Sequence, residues 1–175
     1  MDFIKDYNFI HRYFIGEKQE SLLFLIIGAI AVVLAAVFYF GIKTNPAFFS
    51  GVAIPLIAIG IIQIVVGYTV YSRSDKQRID VAYKAGTDPQ FIRTAELPRM
   101  EKVMKNFVIY RYTEIVLALV GVGLALYFRN NESMFFWKGI GFALGIQALV
   151  MLTADNFAER RAEIYINGLE NLIKA

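Results

Sequence analysis

The chain has 175 residues, of which 57% are hydrophobic and 19% charged, and its formal net charge is +3. This balance is too apolar for an ordinary soluble domain, which is nearer half apolar and about one quarter charged. Because the chain has no cysteine and a single histidine, His11, it cannot form a disulfide, a thiolate zinc site, an iron–sulfur cluster or a bis-histidine haem, and we predict no cofactor and no metal site.

The first predicted element is an amphipathic helix over residues 1–16. Its apolar side chains recur at helical spacing: Phe3, Tyr7, Ile10 and Phe14. Gly16 is a typical residue for the end of such a helix. The helix either lies in the headgroup plane of a membrane or packs on the protein's own cytoplasmic helices, and the sequence leaves both alternatives open.

Four long apolar runs predict four membrane-spanning helices: about 21–43, 47–71, 107–128 and 134–154. Residues 21–42 and 44–72 carry no charge, and ~20 apolar residues at 1.5 Å rise each are enough to cross the hydrocarbon core. The first run is too long for a signal peptide, so we interpret it as a retained anchor. The predicted fold is an all-α integral membrane protein that forms a single membrane domain over residues 1–175.

The links between the predicted spans alternate in length. The first and third links have about four residues each, which favours two helical hairpins, whereas the second link, residues 72–106, is long. Of the 18 Lys and Arg residues, 15 lie in or beside this long link and the two chain ends. The positive-inside rule therefore places both termini in the cytoplasm, and we expect a bacterial-type inner (plasma) membrane. Because the positive charge has this topological explanation, we predict no nucleic-acid partner.

Helical cytoplasmic extensions are predicted in residues 72–106 and in the tail, 155–175. The second span should continue to Gly86, Asp88 and Pro89 should begin a short helix, and Pro98 should open another. In the tail, one helical face carries Phe157, Arg161, Ile164, Tyr165, Leu169 and Leu172. Amphipathic extensions need a partner surface, which is another extension, a second subunit or another protein.

The two halves of the chain resemble one another. The corresponding residues are Tyr39-Phe40 with Tyr127-Phe128, Phe48-Phe49 with Phe135-Phe136, and Gln63 with Gln147. Since each half contains two spans, duplicated halves would have the same orientation and be related by an axis along the membrane normal. Chance similarity among apolar helices is the alternative.

Three polar side chains occur at a similar depth in the predicted spans, namely Gln63, Glu114 and Gln147, roughly 11 Å inside the apolar boundary at 1.5 Å per residue. An ionisable group there costs ~2.5–3.5 kcal/mol on insertion scales, so Glu114 is the leading candidate site residue. Arg111 lies one helical turn away, close enough to pair with it. Other polar residues could complete the site: Tyr110, Thr153, Asp155, Tyr68, Thr69 and Tyr112.

Two interpretations of this polar level stay open. In the first, the level forms a proton- or cation-linked pathway. In the second, Arg111 and Glu114 neutralise each other, while Gln63 and Gln147 hydrogen-bond between helices and contribute ~0.6 kcal/mol each.

Small residues predict close helix contacts. Gly141 and Gly145 form a G-x-x-x-G pair, and Gly121 and Ala125 form a similar pair in the preceding span; such pairs serve contacts within the chain or between subunits. An acidic series follows the fourth span: Asp155, Glu159 and Glu163. We expect it to pair with basic residues of the long link, namely Arg73, Lys76, Lys102 and Lys105, because a divalent metal would need further ligands.

The function hypotheses follow from this organisation. The first is a non-enzymatic channel or transport protein with Glu114 in its pathway. It should act as a homo-oligomer, because four helices enclose no wide pore. The second is an accessory or scaffold subunit that binds a cytoplasmic or membrane protein through its extensions. A membrane-embedded lipid enzyme is weaker, because the sequence shows no pair of catalytic acid and base.

Overall fold

The computed structural model describes residues 7–88 and 90–174, and within these ranges the chain is helical without any strand. Four long helices account for nearly all of it: α1 Asn8–Ala36, α2 Pro46–Thr87, α3 Leu97–Tyr127 and α4 Phe135–Lys174. All four are long and apolar enough to cross a membrane. The predicted all-helical fold with four long apolar helices is therefore confirmed. The expectations for Phe3 and Pro89 lie outside the described residues.

Short helical turns join the long helices. They are the π-helical turns Val37–Gly41 and Ile92–Glu96 and the 3₁₀ turn Glu132–Met134. Between α1 and α2 the chain reverses at Asn45, which has a left-handed φ of 51°; asparagine tolerates this conformation because its side chain can hydrogen-bond locally. Pro46 then begins α2, where its fixed φ suits the first helical position. The reversal sets α1 and α2 side by side.

Helices α2 and α4 form the centre of the bundle. Helix α1 packs on α2, α3 packs on α4, and α1 also touches α4, whereas α1 and α3 make little contact with each other. We call the end of the bundle that carries the start of α1 and the end of α4 the base, and the opposite end the tip. The arrangement leaves a gap between α1 and α3.

Glycines set the spacing of the central helices near the tip. A Cβ atom on Gly51 of α2 would lie against the carbonyl oxygen of Phe136, and one on Gly139 of α4 against that of Phe48. No side chain fits between backbones this close, so the two helices touch directly, as small residues allow in apolar bundles.

The contact between α3 and α4 is equally close. A Cβ on Gly121 would lie 2.5 Å from the nitrogen of Gly145 and 2.8 Å from the oxygen of Gly141. A Cβ on Gly141 would lie 2.6 Å from the nitrogen of Ala125. The four small residues expected at a helix contact thus all lie in the interface between α3 and α4.

At the base, the helices form an apolar core beyond the predicted spans. Its buried members are Ile10, Tyr13, Phe14, Val81, Ile92, Met100, Ala162, Tyr165 and Leu169. These residues come from the start of α1, the end of α2, the turn Ile92–Glu96, the start of α3 and the end of α4. The extensions of the helices therefore cover one another's apolar faces.

The predicted end of a helix at Gly16 is wrong, because α1 runs through this position without a break. Ile10 and Phe14 are buried against the neighbouring helices, so the described part of this segment packs on the protein itself. Gly16 serves another purpose: a Cβ there would lie 2.8 Å from Cδ of Arg161. The glycine allows this side chain to cross α1 closely.

Of the other two extensions, the central link follows the prediction for Pro98 and, within one residue, for the end of α2, whereas the tail differs in detail. Helix α2 ends at Thr87, and Pro98 lies in the first turn of one continuous α3 that follows directly on the turn Ile92–Glu96. In the tail, Tyr165 and Leu169 are buried, but Phe157 and Ile164 are exposed. The predicted apolar face is thus divided, because neighbouring helices cover only one side of α4.

Candidate functional site

A crevice of about 260 Å³ lies between the four helices towards the base, where α1 and α3 do not meet. Its charged lining residues are Glu17, Glu20, Arg73, Asp155 and Arg161. Its apolar lining includes Phe24, Val66, Val103 and Phe107. The crevice therefore combines apolar walls with charges of both signs, at the level where the predicted spans meet their extensions.

Ion pairs between helices neutralise the arginines of the crevice. Arg161 of α4 pairs with Glu20 of α1. Glu17 lies 3.8 Å from Arg73 and accepts a 3.0 Å hydrogen bond from the hydroxyl of Ser74. These contacts join α1 to the two central helices and place a carboxylate beside each arginine.

Asp155 has a different environment. Its carboxyl group lies beside that of Glu114 on α3, close enough for the two groups to interact. Glu114 is only 5% exposed, and its Oε2 has no hydrogen-bond partner among the described residues. The other charged groups that act on Asp155 are Glu20 and Glu159, both acidic. We call Glu114 and Asp155 the carboxyl pair; within residues 7–88 and 90–174, neither forms an ion pair with a basic residue.

The expected pairing of Arg111 with Glu114 is wrong. Arg111 forms an ion pair with Glu159 on α4. Helices α3 and α4 run in opposite directions, so Asp155 lies opposite Glu114 and Glu159 lies one turn nearer the base, opposite Arg111. The acidic series after the fourth span thus contacts α3, and Glu159 does not use the basic residues of the long link for which it was predicted.

A double-mutant cycle tests the corrected pairing. We expect Arg111→Gln and Glu159→Gln each to lower the melting temperature. The decrease in the double variant should be smaller than the sum of the two single decreases, because both single changes remove the same ion pair. Arg111→Gln and Glu114→Gln should instead show little coupling. Thermal melts in detergent micelles, followed by circular dichroism, give the four temperatures of each cycle. Strong coupling of Arg111 to Glu114 with none to Glu159 would contradict the assignment.

The remaining predicted site residues are divided between the interior and the surface. Gln63 is fully buried and Gln147 nearly so, and neither lines the crevice. Tyr110 does line it. Thr153 and Thr69 are exposed and donate hydrogen bonds to carbonyl groups of their own helices. Tyr68 and Tyr112 are also exposed, so these four residues do not complete a site around Glu114.

Sequence reasoning missed the acidic side chains that α1 contributes. Glu17 and Glu20 are three residues apart and therefore share a helical face, which was the available signal. They lie ahead of the first apolar run, and the expected helix end at Gly16 hid their continuity with that run. Because α1 is continuous, both carboxylates reach the crevice.

A buried polar cluster holds the base together. Glu96 is 2% exposed and accepts a 2.7 Å hydrogen bond from the hydroxyl of Tyr165. It also accepts two hydrogen bonds from Arg99, at 2.6 and 2.9 Å. The ring of Tyr13 stacks on that of Tyr165, with centroids 4.2 Å apart. We call these four residues the base lock.

Both tyrosines of the base lock are protonated at neutral pH. Burial raises the pKa of Tyr13 to about 12, and the nearby charge of Glu17 adds to the effect. Burial and the charge of Glu96 also raise the pKa of Tyr165. The hydroxyl of Tyr165 therefore stays a donor, which suits the carboxylate that it binds. The base lock fixes the start of α1, and with it the position of Glu17 beside the crevice.

No known protein-family model matches the chain, no curated protein matches it at a significant level, and no solved structure does so either.

Proposed function

We propose that the protein is a small, non-enzymatic membrane transport protein in which the carboxyl pair binds and releases a proton. The contact between Glu114 and Asp155 beside the crevice carries this proposal. Two carboxylates in contact do not both ionise readily, because like charges repel, and a shared proton relieves the repulsion. Asp155 lines the crevice and Glu114 is buried behind it, so a proton can be exchanged with the base side.

The packing near the tip supports a carrier and not an open pore. At Gly51 and Gly139 the central helices touch through their backbones, and α3 meets α4 in the same way at Gly121. A water-filled path through one chain would need these contacts to part. We therefore propose that transport depends on helix movement, and that the working form is a homo-oligomer.

We further propose that the base faces the cytoplasm of a bacterial-type inner membrane and that the halves α1–α2 and α3–α4 are copies. The excess of basic residues towards the base supports the orientation. The contacts of Gly51 with Phe136 and of Gly139 with Phe48 support the duplication. These contacts are reciprocal, as a two-fold relation between duplicated hairpins requires. They match Phe48 with Phe136, one residue away from the expected match with Phe135.

Proton flux in reconstituted vesicles tests the proposed function. The purified protein would be placed in phospholipid vesicles that contain a pH-sensitive dye, with valinomycin and potassium to balance charge, and a pH step would be applied. We expect flux above that of empty vesicles, and we expect Glu114→Gln or Asp155→Asn to reduce it about 100-fold, as is typical when a proton-transfer group is removed.

The matched control is Glu101→Gln, which removes an exposed carboxylate from the same helix as Glu114. This variant should retain the flux. Flux equal to that of empty vesicles across the tested pH range would contradict the transport proposal. So would a Glu114→Gln variant that conducts protons like the unmodified protein.

An accessory subunit is the second candidate function. Four large apolar side chains on the extensions are exposed: Ile79, Tyr83, Phe157 and Ile164. A partner subunit that covered these side chains would remove apolar surface from water, which is favourable. A deletion of 157–175 would not test this candidate, because it also removes Tyr165 and Leu169 from the apolar core of the base. An absence of flux, together with a partner that co-purifies with the intact chain, would favour it.

A further inference from the structure

The charges of the crevice do not balance. Arg161 is neutralised by Glu20, and Arg73 lies beside Glu17. Asp155 and its neighbour Glu114 have no basic partner in the described parts of the chain. The crevice is therefore negative at one place, where the carboxyl pair lies, and close to neutral elsewhere.

The walls of the crevice suit the apolar part of a small ligand. Phe24, Val66, Val103 and Phe107 line it, and Tyr110 adds an aromatic ring. A volume of about 260 Å³ is close to the lower limit of known small-molecule pockets, which are lined mainly by apolar and aromatic side chains with a few polar groups. Aromatic faces also attract cations.

A metal ion fits this site poorly. Calcium takes at least six oxygen ligands, and magnesium is held by carboxylates and water in strict octahedral geometry. The described residues contain no group of three or more acidic or histidine side chains that could hold a metal ion. One carboxyl pair facing apolar walls suits an organic cation better than an inorganic one.

We infer that the crevice binds a monovalent organic cation, namely an amine or quaternary ammonium attached to a small apolar group. The positive charge of this cation replaces the proton held between Glu114 and Asp155. When the cation enters, the shared proton leaves to water in the crevice, and when the cation leaves, a proton returns. No covalent bond of the cation changes. The inference rests on the proposed function, because it assigns the exchanged species to the same carboxyl pair.

Binding of benzyltrimethylammonium to the intact protein in lipid nanodiscs tests the inference. Isothermal titration calorimetry in buffers of different ionisation enthalpy gives both the Kd and the number of protons released. We expect release of about one proton per bound cation and a Kd that falls about tenfold per pH unit while the pair is protonated. Neutral benzyl alcohol and anionic benzylsulfonate, which have a similar apolar body, should bind at least about tenfold more weakly.

Two variants locate the binding site. Asp155→Asn removes one carboxylate and should abolish proton release. Asn106→Trp adds bulk to the crevice wall and keeps both carboxyl groups of the pair, so it should weaken binding even if Asp155→Asn fails to fold. Glu101→Gln is again the control and should bind normally. Melting curves of each variant show that it is folded.

Three results would overturn the inference: equal binding of the cation and its neutral and anionic analogues, cation binding without proton release, or cation binding that Asn106→Trp leaves unchanged. Cation binding with proton release but no flux in vesicles would retain this site and contradict the transport function. Proton flux without cation binding would retain the transport function and contradict this binding site.

An ammonium group of this kind occurs both in free amines and in lipid headgroups. Nanodiscs of phosphatidylglycerol alone contain no cationic headgroup, so they give the affinity of the probe without competition. Adding phosphatidylethanolamine distinguishes the two sources. A higher apparent Kd in the mixed lipid assigns the headgroup as the occupant of the crevice, and an unchanged Kd assigns a free cation.

Discussion

Replacement of Gly139 by alanine is expected to destabilise the bundle by about 3 kcal/mol or more, at the upper end of the cost of overpacking. The added Cβ would overlap the carbonyl oxygen of Phe48 on α2. The carbonyl oxygen of a helical residue is fixed by the backbone and cannot rotate away as a side chain can, so α2 and α4 would have to separate at this contact. That separation would weaken the central contact around which the bundle is arranged.

Thermal or SDS-induced unfolding in micelles, followed by circular dichroism, measures this effect. The matched control is Gly123→Ala on α3, where a Cβ would have no neighbour within 4 Å. This variant should be unchanged or more stable by about 0.5–1 kcal/mol, because alanine favours helix more than glycine does. Equal stability of the Gly139→Ala variant and the unmodified protein would contradict the direct contact between the central helices.

Replacement of Glu96 by alanine is expected to cost about 3–5 kcal/mol, the usual cost of removing one partner from a buried ion pair. The change would leave Arg99 and the hydroxyl of Tyr165 without the carboxylate that they bind. The start of α1 packs on the same cluster through Tyr13. We therefore expect α1 to detach near the base, in addition to a lower melting temperature.

Two variants separate the contributions to this effect. Tyr165→Phe removes one hydrogen bond to a charged group and keeps the ring stack, so its cost should be about 2 kcal/mol. Glu101→Gln changes an exposed carboxylate on α3 and should have little effect. Hydrogen exchange at residues 8–16 reports detachment of α1. Unchanged protection of this segment in Glu96→Ala would contradict the role of the base lock in fixing α1.

The base lock also links stability to the candidate site. Glu17 and Glu20 follow Tyr13 on α1, within two helical turns. A start of α1 that is free to move would carry both carboxylates away from Arg73 and Arg161. The charge balance of the crevice thus depends on a cluster that does not line it, apart from Tyr13.

Glu114 shows how far the sequence predicts the site. A carboxylate inside an apolar run is costly wherever the chain places it, so its importance can be inferred without a structure. The partner of Glu114 cannot be inferred in this way, because Arg111 on the same helix and Asp155 after the fourth span were both candidates. The relative axial position of α3 and α4 decides between them, and the glycine contacts between these helices set that position.

The sequence by itself determined the four long apolar helices and the absence of thiol and bis-histidine chemistry, because run length and residue inventory are local properties. Only the tertiary structure decided that α1 continues through Gly16 into the base, that Arg111 binds Glu159, and that Glu114 meets Asp155 at a crevice. These features depend on which faces of distant helices meet. Backbone contact at small residues and burial at the base choose those faces, and neither can be read from one segment alone.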